Sequence, residues 1–398
     1  MIHTRQVDQP LPLLDHHPGL VWLSPTVSMV GFGEALRVAA GYGEDRFLRA
    51  DEAFRDWCPE VRDEVNLSGT GAVAFSSFTF DARSAGSVLV VPEILFGRTG
   101  DTWFVTTVDG ADPSPYCHPA GTAEADTDRP RYAGASVPDV LWLEAVARAI
   151  EHIGRSDLDK VVLARDFAVW SKRPFDSRLL LERLHSRFPG CFTFLVDGLV
   201  GASPELLLRK SAEHVESVAL AGSARRSPDP LEDRIIGENL LRSDKDRREH
   251  DMAADSVGRV LEDICDRVIR EAEPTLLELP NVRHLATRFL ARAGADTSIF
   301  EMVARLHPTA AVGGWPTGAA IEAIRELELM DRGRYAGPVG WHDAAGDGEF
   351  AIALRCAELS GARARLFAGA GIVRGSLPEA ELEETRLKLQ AMLSALEP

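Results

Sequence analysis

The sequence predicts an α+β fold built mainly on antiparallel sheets. Two observations carry this reading. Short apolar runs bounded by Gly, Asp and Pro recur along all 398 residues, and they far outnumber any strand–helix–strand alternation. Hydrophobic residues make up 45% and charged residues 26%, the mixture of a globular chain long enough to bury a large core without cross-links.

The elements follow in chain order. Residues 19–110 read as short strands mixed with one or two helices, and 86–110 as two strands joined by a Gly/Asp turn. Residues 111–137, rich in Pro, Gly, Ala and Asp and without apolar periodicity, read as a surface loop. A helix is expected from about Pro138 to Gly154, with Leu141, Ala145, Val146 and Ile150 on one face. KVVLARDFAVW (160–170) reads as a buried strand, and 191–210 as two antiparallel strands reversing near Asp197-Gly198. A long polar helix is expected over about 231–271, then a hairpin around Gly346-Asp347-Gly348. ARLFAGAGIV (364–373) adds a strand, and a helix from about Leu377 to Leu396 closes the chain. Ser376 and Glu379 have the spacing of a capping box at its start.

The formal charge of −17 argues against nucleic acid as a partner, since phosphate binding needs basic patches. It leaves room for a small anion held by a few cations focused in a cleft. The five cysteines show no CxxC or Cys/His ligand spacing, which suits reduced thiols in a cytoplasmic protein. The N-terminal residues lack the basic start and apolar run of a signal peptide, and no apolar stretch of about 18 residues predicts a membrane helix. Gly369-Ala370-Gly371 invites a dinucleotide reading, but the next glycine, Gly375, falls one position late for G-x-G-x-x-G. There is no GK[ST] phosphate loop and no G-x-S-x-G elbow.

Several residues have the types and spacings that chemistry needs. Glu381, Glu384 and Lys388 lie at i, i+3 and i+7 and share one helix face. The plain reading is a solvated face with a Glu384–Lys388 surface pair, stabilising by about 0.3–0.5 kcal/mol. Glu249, in SDKDRREHD (243–251), places a carboxylate on a second helix. Two such helices could clamp Mg2+, which takes one or two carboxylates and completes its shell with water and an anionic ligand. Lys160 opens an apolar strand; ordinarily exposed, it could act as a base if buried near other cations. Glu205 follows a turn in GASPELLL, and an enclosed glutamate keeps its proton and can serve as an acid.

These segments carry a resemblance. KVVLAR (160–165), GASPELLL (201–208), LAGSARR (220–226), KDRREH (245–250), RHLAT (283–287), LHPTAAVGGWP (306–316), GPVGWHDAAGDGEFAIALR (337–355), AGAGIV (368–373) and EETRLKL (383–389) occur in an order that resembles the chorismate-utilising enzymes. That family includes isochorismate, salicylate, anthranilate and aminodeoxychorismate synthases. The resemblance covers about 138–396 strongly and 1–130 weakly. It implies one chorismate-binding domain over 1–398, with large antiparallel sheets stacked at the centre and helices around them.

The resemblance also implies roles. Glu249 and Glu384 would hold Mg2+, with Glu381 close by. Arg355 and Lys388 would bind the substrate's carboxylates. The Gly369-Ala370-Gly371 turn would let backbone N–H groups approach the substrate, Gly222 and Ser223 would line the same pocket, and His284 would sit near the reacting ring edge. Members that use water carry a lysine where Lys160 stands, so Lys160 would be the general base and Glu205 the general acid. Ammonia-using members need a glutaminase, and none is implied here. HPTAAVGGWP, followed by Thr317, is more similar to the isochorismate synthase form than to the salicylate synthase one, while salicylate synthases tend to carry a tyrosine in the neighbourhood of Tyr335. The implied activity is isochorismate synthase, with salicylate synthase as the alternative, in a monomer. Isochorismate feeds dihydroxybenzoate siderophores, menaquinone and salicylate-derived metabolites.

Overall fold

The computed structural model describes residues 1–8, 11, 13–118, 129–155, 157–280, 282–294 and 297–397. Two sheets dominate it, one of 13 strands and one of 10. Among the described residues every strand pairing is antiparallel except that of Ile2–Val7 with Val61–Asp63. The α+β expectation holds. The larger core lies between the sheets, where Trp22 and Phe194 of one face Phe75, Trp341 and Phe350 of the other. A buried hydrogen bond from Trp22 Nε1 to Glu349 Oε2, 2.7 Å, ties the sheets together. A second core covers the outer face of the 13-stranded sheet beneath the helices Ser177–Arg187 and Pro378–Leu396. No described helix is long and apolar enough to cross a membrane, and all five cysteines are unbridged.

Twice in the second half the chain passes directly from one sheet to the other. Leu199–Ser203 belongs to the 13-stranded sheet and Leu206–Ser211 to the 10-stranded one, with Pro204-Glu205 between them. Gly348–Ile352 and Cys356–Ser360 make the reverse crossing. The crossings run side by side: Ser203 Oγ donates to the Ile352 carbonyl at 2.6 Å, and the Ile352 N–H donates to the Glu205 carbonyl at 3.1 Å. At the second crossing Arg355 takes φ +47°, the left-handed region that side chains other than glycine rarely occupy.

The Asp139–Arg155 helix, the Lys160–Trp170 strand, the hairpin Pro338–Asp343/Gly348–Ile352, the Arg363–Val373 strand and the Pro378–Leu396 helix match their expected places. Five expectations are corrected. Residues 86–110 hold three strands, because Val88–Val91 lies in the 10-stranded sheet and the chain changes sheets at Pro92 before Ile94–Thr99 and Thr102–Val108. Residues 191–210 likewise hold a third strand after the hairpin, started by the crossing at Pro204. The loop over 111–137 contains an edge strand, Arg131–Gly134, too exposed to show an apolar period; 119–128 lie outside the described residues. The helix over 231–271 is two helices, Pro230–Arg242 and Asp244–Ile264, followed by the strand Cys265–Arg270. Ser243 makes the break, its hydroxyl accepting the Asp246 N–H at 3.2 Å as an N-cap. The last helix has Leu377 at its N-cap position and no side-chain cap; Ser376 Oγ instead accepts the Val373 N–H at 3.2 Å, so the capping box is not formed.

Candidate active site

One pocket gathers residues from both sheets and from the helices Asp244–Ile264 and Pro378–Leu396. It is lined by Glu205, Gly222, Ser223, Glu249, His284, Arg355, Gly369, Gly371, Glu381, Glu384 and Lys388. Lys160, 1% exposed, lies just behind this lining, with Nζ 3.0 Å from Glu249 Oε1. Ala370 is the exception: it is fully buried opposite Leu163, on the face of its strand turned away from the pocket, because side chains along a strand point alternately to opposite faces.

The pairing of Lys160–Trp170 with Arg363–Val373 explains several placements. Lys160, Val162 and Ala164 lie opposite Val373, Gly371 and Gly369. Gly369-Ala370-Gly371 is therefore the middle of a strand and not a turn. The N–H groups of Val162 and Ala164 are directed away from that strand, to the Gly313 carbonyl and to Glu328 Oε1. These are thus the non-hydrogen-bonded pairs of the ladder, and the N–H and C=O of Gly369 and Gly371 also point away from their neighbour. Cys356–Ser360 pairs with this strand only as far as Leu366, so that edge stays open, and Lys388 Nζ donates to the Gly369 carbonyl at 3.0 Å. The glycines are needed for space. A Cβ on Gly371 would lie 2.8 Å from Glu249 Oε1 and 3.1 Å from Lys160 Cε; one on Gly369 would lie 3.2 Å from the Tyr335 hydroxyl.

Three of the pocket carboxyls are driven in different directions. Burial pushes Glu205 up to about 8, against opposition from Lys160, Lys388 and a hydrogen bond from the Leu220 backbone. Burial also raises Glu381, helped by the neighbouring carboxylates Glu384 and Glu249 and opposed by a Ser376 hydrogen bond. For Glu384 burial is overcome by Lys388, whose Nζ is 2.6 Å away, and the carboxyl is held below its ordinary range. Asp246, which also lines the pocket, was missed from the sequence, as was Lys245. Asp246 and Glu249 have the same i, i+3 spacing as Glu381 and Glu384, and that signal could have found it.

Among the described residues no three His, Cys, Asp or Glu side chains form a closed metal cluster. Glu249 and Glu384 each have a lysine nitrogen against one oxygen, and they approach from two helices. Hard oxygen donors on facing helices suit a Mg2+ site that water and substrate oxygens complete, rather than an all-protein cage.

The chain is similar to known proteins over most of its length. A family model described as chorismate binding enzyme matches residues 20–397. The isochorismate synthase EntC of Escherichia coli is 43% identical over 265 residues, covering 65% of this chain and 68% of that protein. The isochorismate synthase MenF of Bacillus subtilis is 39% identical over 409 residues, covering 94% and 87%. Among solved structures, a protein assigned as the 2,3-dihydroxybenzoate-specific isochorismate synthase DhbC of Bacillus anthracis superposes with a TM-score of 0.81 at 32% identity, over 96% of this chain and 98% of that one.

Proposed function

The chain belongs to the family of chorismate-binding enzymes, and from that premise we propose that it is an isochorismate synthase that interconverts chorismate and isochorismate with Mg2+. The observation that carries the reading is the placement of two buried groups at one site: Lys160 just behind the pocket lining, and Glu205 within it, whose carboxyl burial pushes up to about 8.

Lys160 takes a proton from a water as its oxygen bonds to C2 of chorismate. The ring double bonds shift and the C4–O bond breaks. Glu205 gives its proton to the departing oxygen, which leaves as water. One water enters and one leaves, so the reaction is an isomerisation. Arg355 and Lys388 bind the substrate carboxylates, Arg355 through a planar fork suited to them. Gly222, Ser223 and the open strand edge at Gly369 and Gly371 pack against the substrate. Glu249 and Glu384 would hold Mg2+, with Glu381 close by, and the ion would supply positive charge for a substrate carboxylate.

The test is product analysis after incubation with chorismate and Mg2+, by chromatography with mass detection. An isomer of unchanged mass, formed partially because the reaction is reversible, with activity lost to EDTA and restored by Mg2+, is the expected result. Salicylate with pyruvate would move the chain to the salicylate synthase branch and make Tyr335, buried at the pocket wall, the residue to vary next.

A further inference from the structure

His284 does not stand free beside the pocket. Its Nδ1 is 3.0 Å from Ser223 Oγ, and its Nε2 is 3.0 Å from an Arg355 Nη2. Ser223 and His284 are direct cross-strand partners on His214–Arg225 and Val282–Ala293, brought opposite each other by a bulge at Gly222, which takes φ +72°. A guanidinium has donors only and keeps its charge. The ring nitrogen facing it must accept, so Nε2 is bare and the ring proton sits on Nδ1. Ser223 Oγ then accepts from the ring, and its own proton turns elsewhere. Ser223 lines the pocket, and no other hydrogen bond to its hydroxyl is made among the described residues. The second guanidinium nitrogen of Arg355, Nη1, is buried and unpartnered.

We propose that His284 is a positioning residue, fixed as the neutral Nδ1–H tautomer, which orients Arg355 so that its Nη1 meets a substrate carboxylate and turns the Ser223 hydroxyl into the pocket as a second donor to the same anion. The role assigned to the anion rests on the reading of the pocket as a chorismate site, while the ring's tautomer does not. Burial, Arg355 and Lys388 push His284 well below its ordinary pKa against a hydrogen bond to the Gly222 backbone, as a ring that stays neutral requires. A proton on Nε2 would set an imidazolium against a guanidinium and break the strut.

The first measurement is 15N NMR of the histidine-labelled, full-length, ligand-free protein. The expected spectrum has His284 protonated at Nδ1 and bare at Nε2, unchanged from about pH 5.5 to 8.5. An Nε2–H tautomer, or an imidazolium appearing in that range, overturns the proposal. The second is kinetic. His284→Gln can still accept from Arg355 and donate to Ser223, and is expected to keep its KM for chorismate within about fivefold. His284→Ala is expected to raise KM by about 10–100-fold with a smaller change in kcat. Ser223→Ala should raise KM in the wild-type background and add little to His284→Ala. A residue that only supported the fold would cost thermal stability without this KM bias or the rescue by Gln, and that outcome also overturns the proposal. If His284→Ala does not fold, the wild-type spectrum and His284→Gln decide. If the wild-type protein neither binds nor converts chorismate, the functional reading falls and the spectrum alone still decides the tautomer.

Discussion

Glu205 and Glu384 share a pocket and sense the same two lysines, Lys160 and Lys388, yet their carboxyls are driven in opposite directions. Burial disfavours the charged form of both. The difference lies in contact. Glu384 has the Lys388 ammonium at 2.6 Å, whereas Glu205, 4% exposed at the crossing between sheets, has no ion-pair partner among the described residues. For Glu384, 34% exposed, a cation in contact together with Lys245 and Lys160 outweighs desolvation, whereas the same two lysines farther off do not outweigh the fuller burial of Glu205. One pocket thus keeps a proton donor and an ionised carboxylate, with two lysines acting on both and Lys245 on Glu384 alone.

The largest effect should follow from removing Lys160, one of the two lysines that both glutamates sense. Lys160→Ala is expected to abolish turnover while chorismate affinity, read by calorimetry, changes little; activity near the wild-type level would remove Lys160 from the role of base. Next comes Glu205→Gln, which keeps shape and neutrality but has no proton to give. It should lower kcat by about 10²–10⁴-fold. Its stability makes a separate test. With Glu205 raised from an ordinary 4.5 to about 8, the folded protein holds a proton through that window which the unfolded chain releases. The resulting stability is fully present below about pH 4.5 and is lost as pH rises towards 8. Glu205→Gln should flatten this part of the Tm–pH curve and melt higher than wild type near pH 8.5; parallel curves would refute the contrast between the two glutamates.

Gly371→Ala inserts a methyl 2.8 Å from Glu249 Oε1 and beside Lys160 Cε. Displacing this pair by a fraction of an ångström should cost up to about 10²-fold in kcat/KM, with the fold retained on circular dichroism. For the wild-type enzyme, kcat/KM should fall about tenfold per pH unit above 8 as Glu205 ionises, a limb absent from the residual activity of Glu205→Gln. The smallest effect belongs to Lys245→Met. Lys245 lines the pocket and supports Glu384 only through space. Its loss should change KM by less than about fivefold, and a larger change would show that distant cations matter more than the contrast allows.

Most of the pocket was legible in the sequence because its residues sit in short motifs whose order carries the resemblance. Lys160 heads a strand whose bounds the apolar pattern marks, and Glu381, Glu384 and Lys388 share a face by simple helical spacing. Less legible was anything set by long-range pairing. Ala370 sits between two pocket glycines in sequence, but the pleat turns it into the core. The changes of sheet at Pro92 and Pro204 read locally as turns, since nothing in a ten-residue window tells which sheet the next strand joins. The break at Ser243 carried a readable N-cap signal that the continuous polar periodicity obscured.

Arg355 has a cost written into its backbone. At φ +47° a residue with a side chain is strained, by roughly 1–3 kcal/mol, and a glycine there would be relaxed. Selection of variants for heat resistance alone would therefore favour Arg355→Gly and discard the guanidinium that the pocket is arranged to present. The most thermostable descendants of this protein drawn from such a screen should include inactive ones, so a stabilisation campaign on this fold has to score turnover at every round.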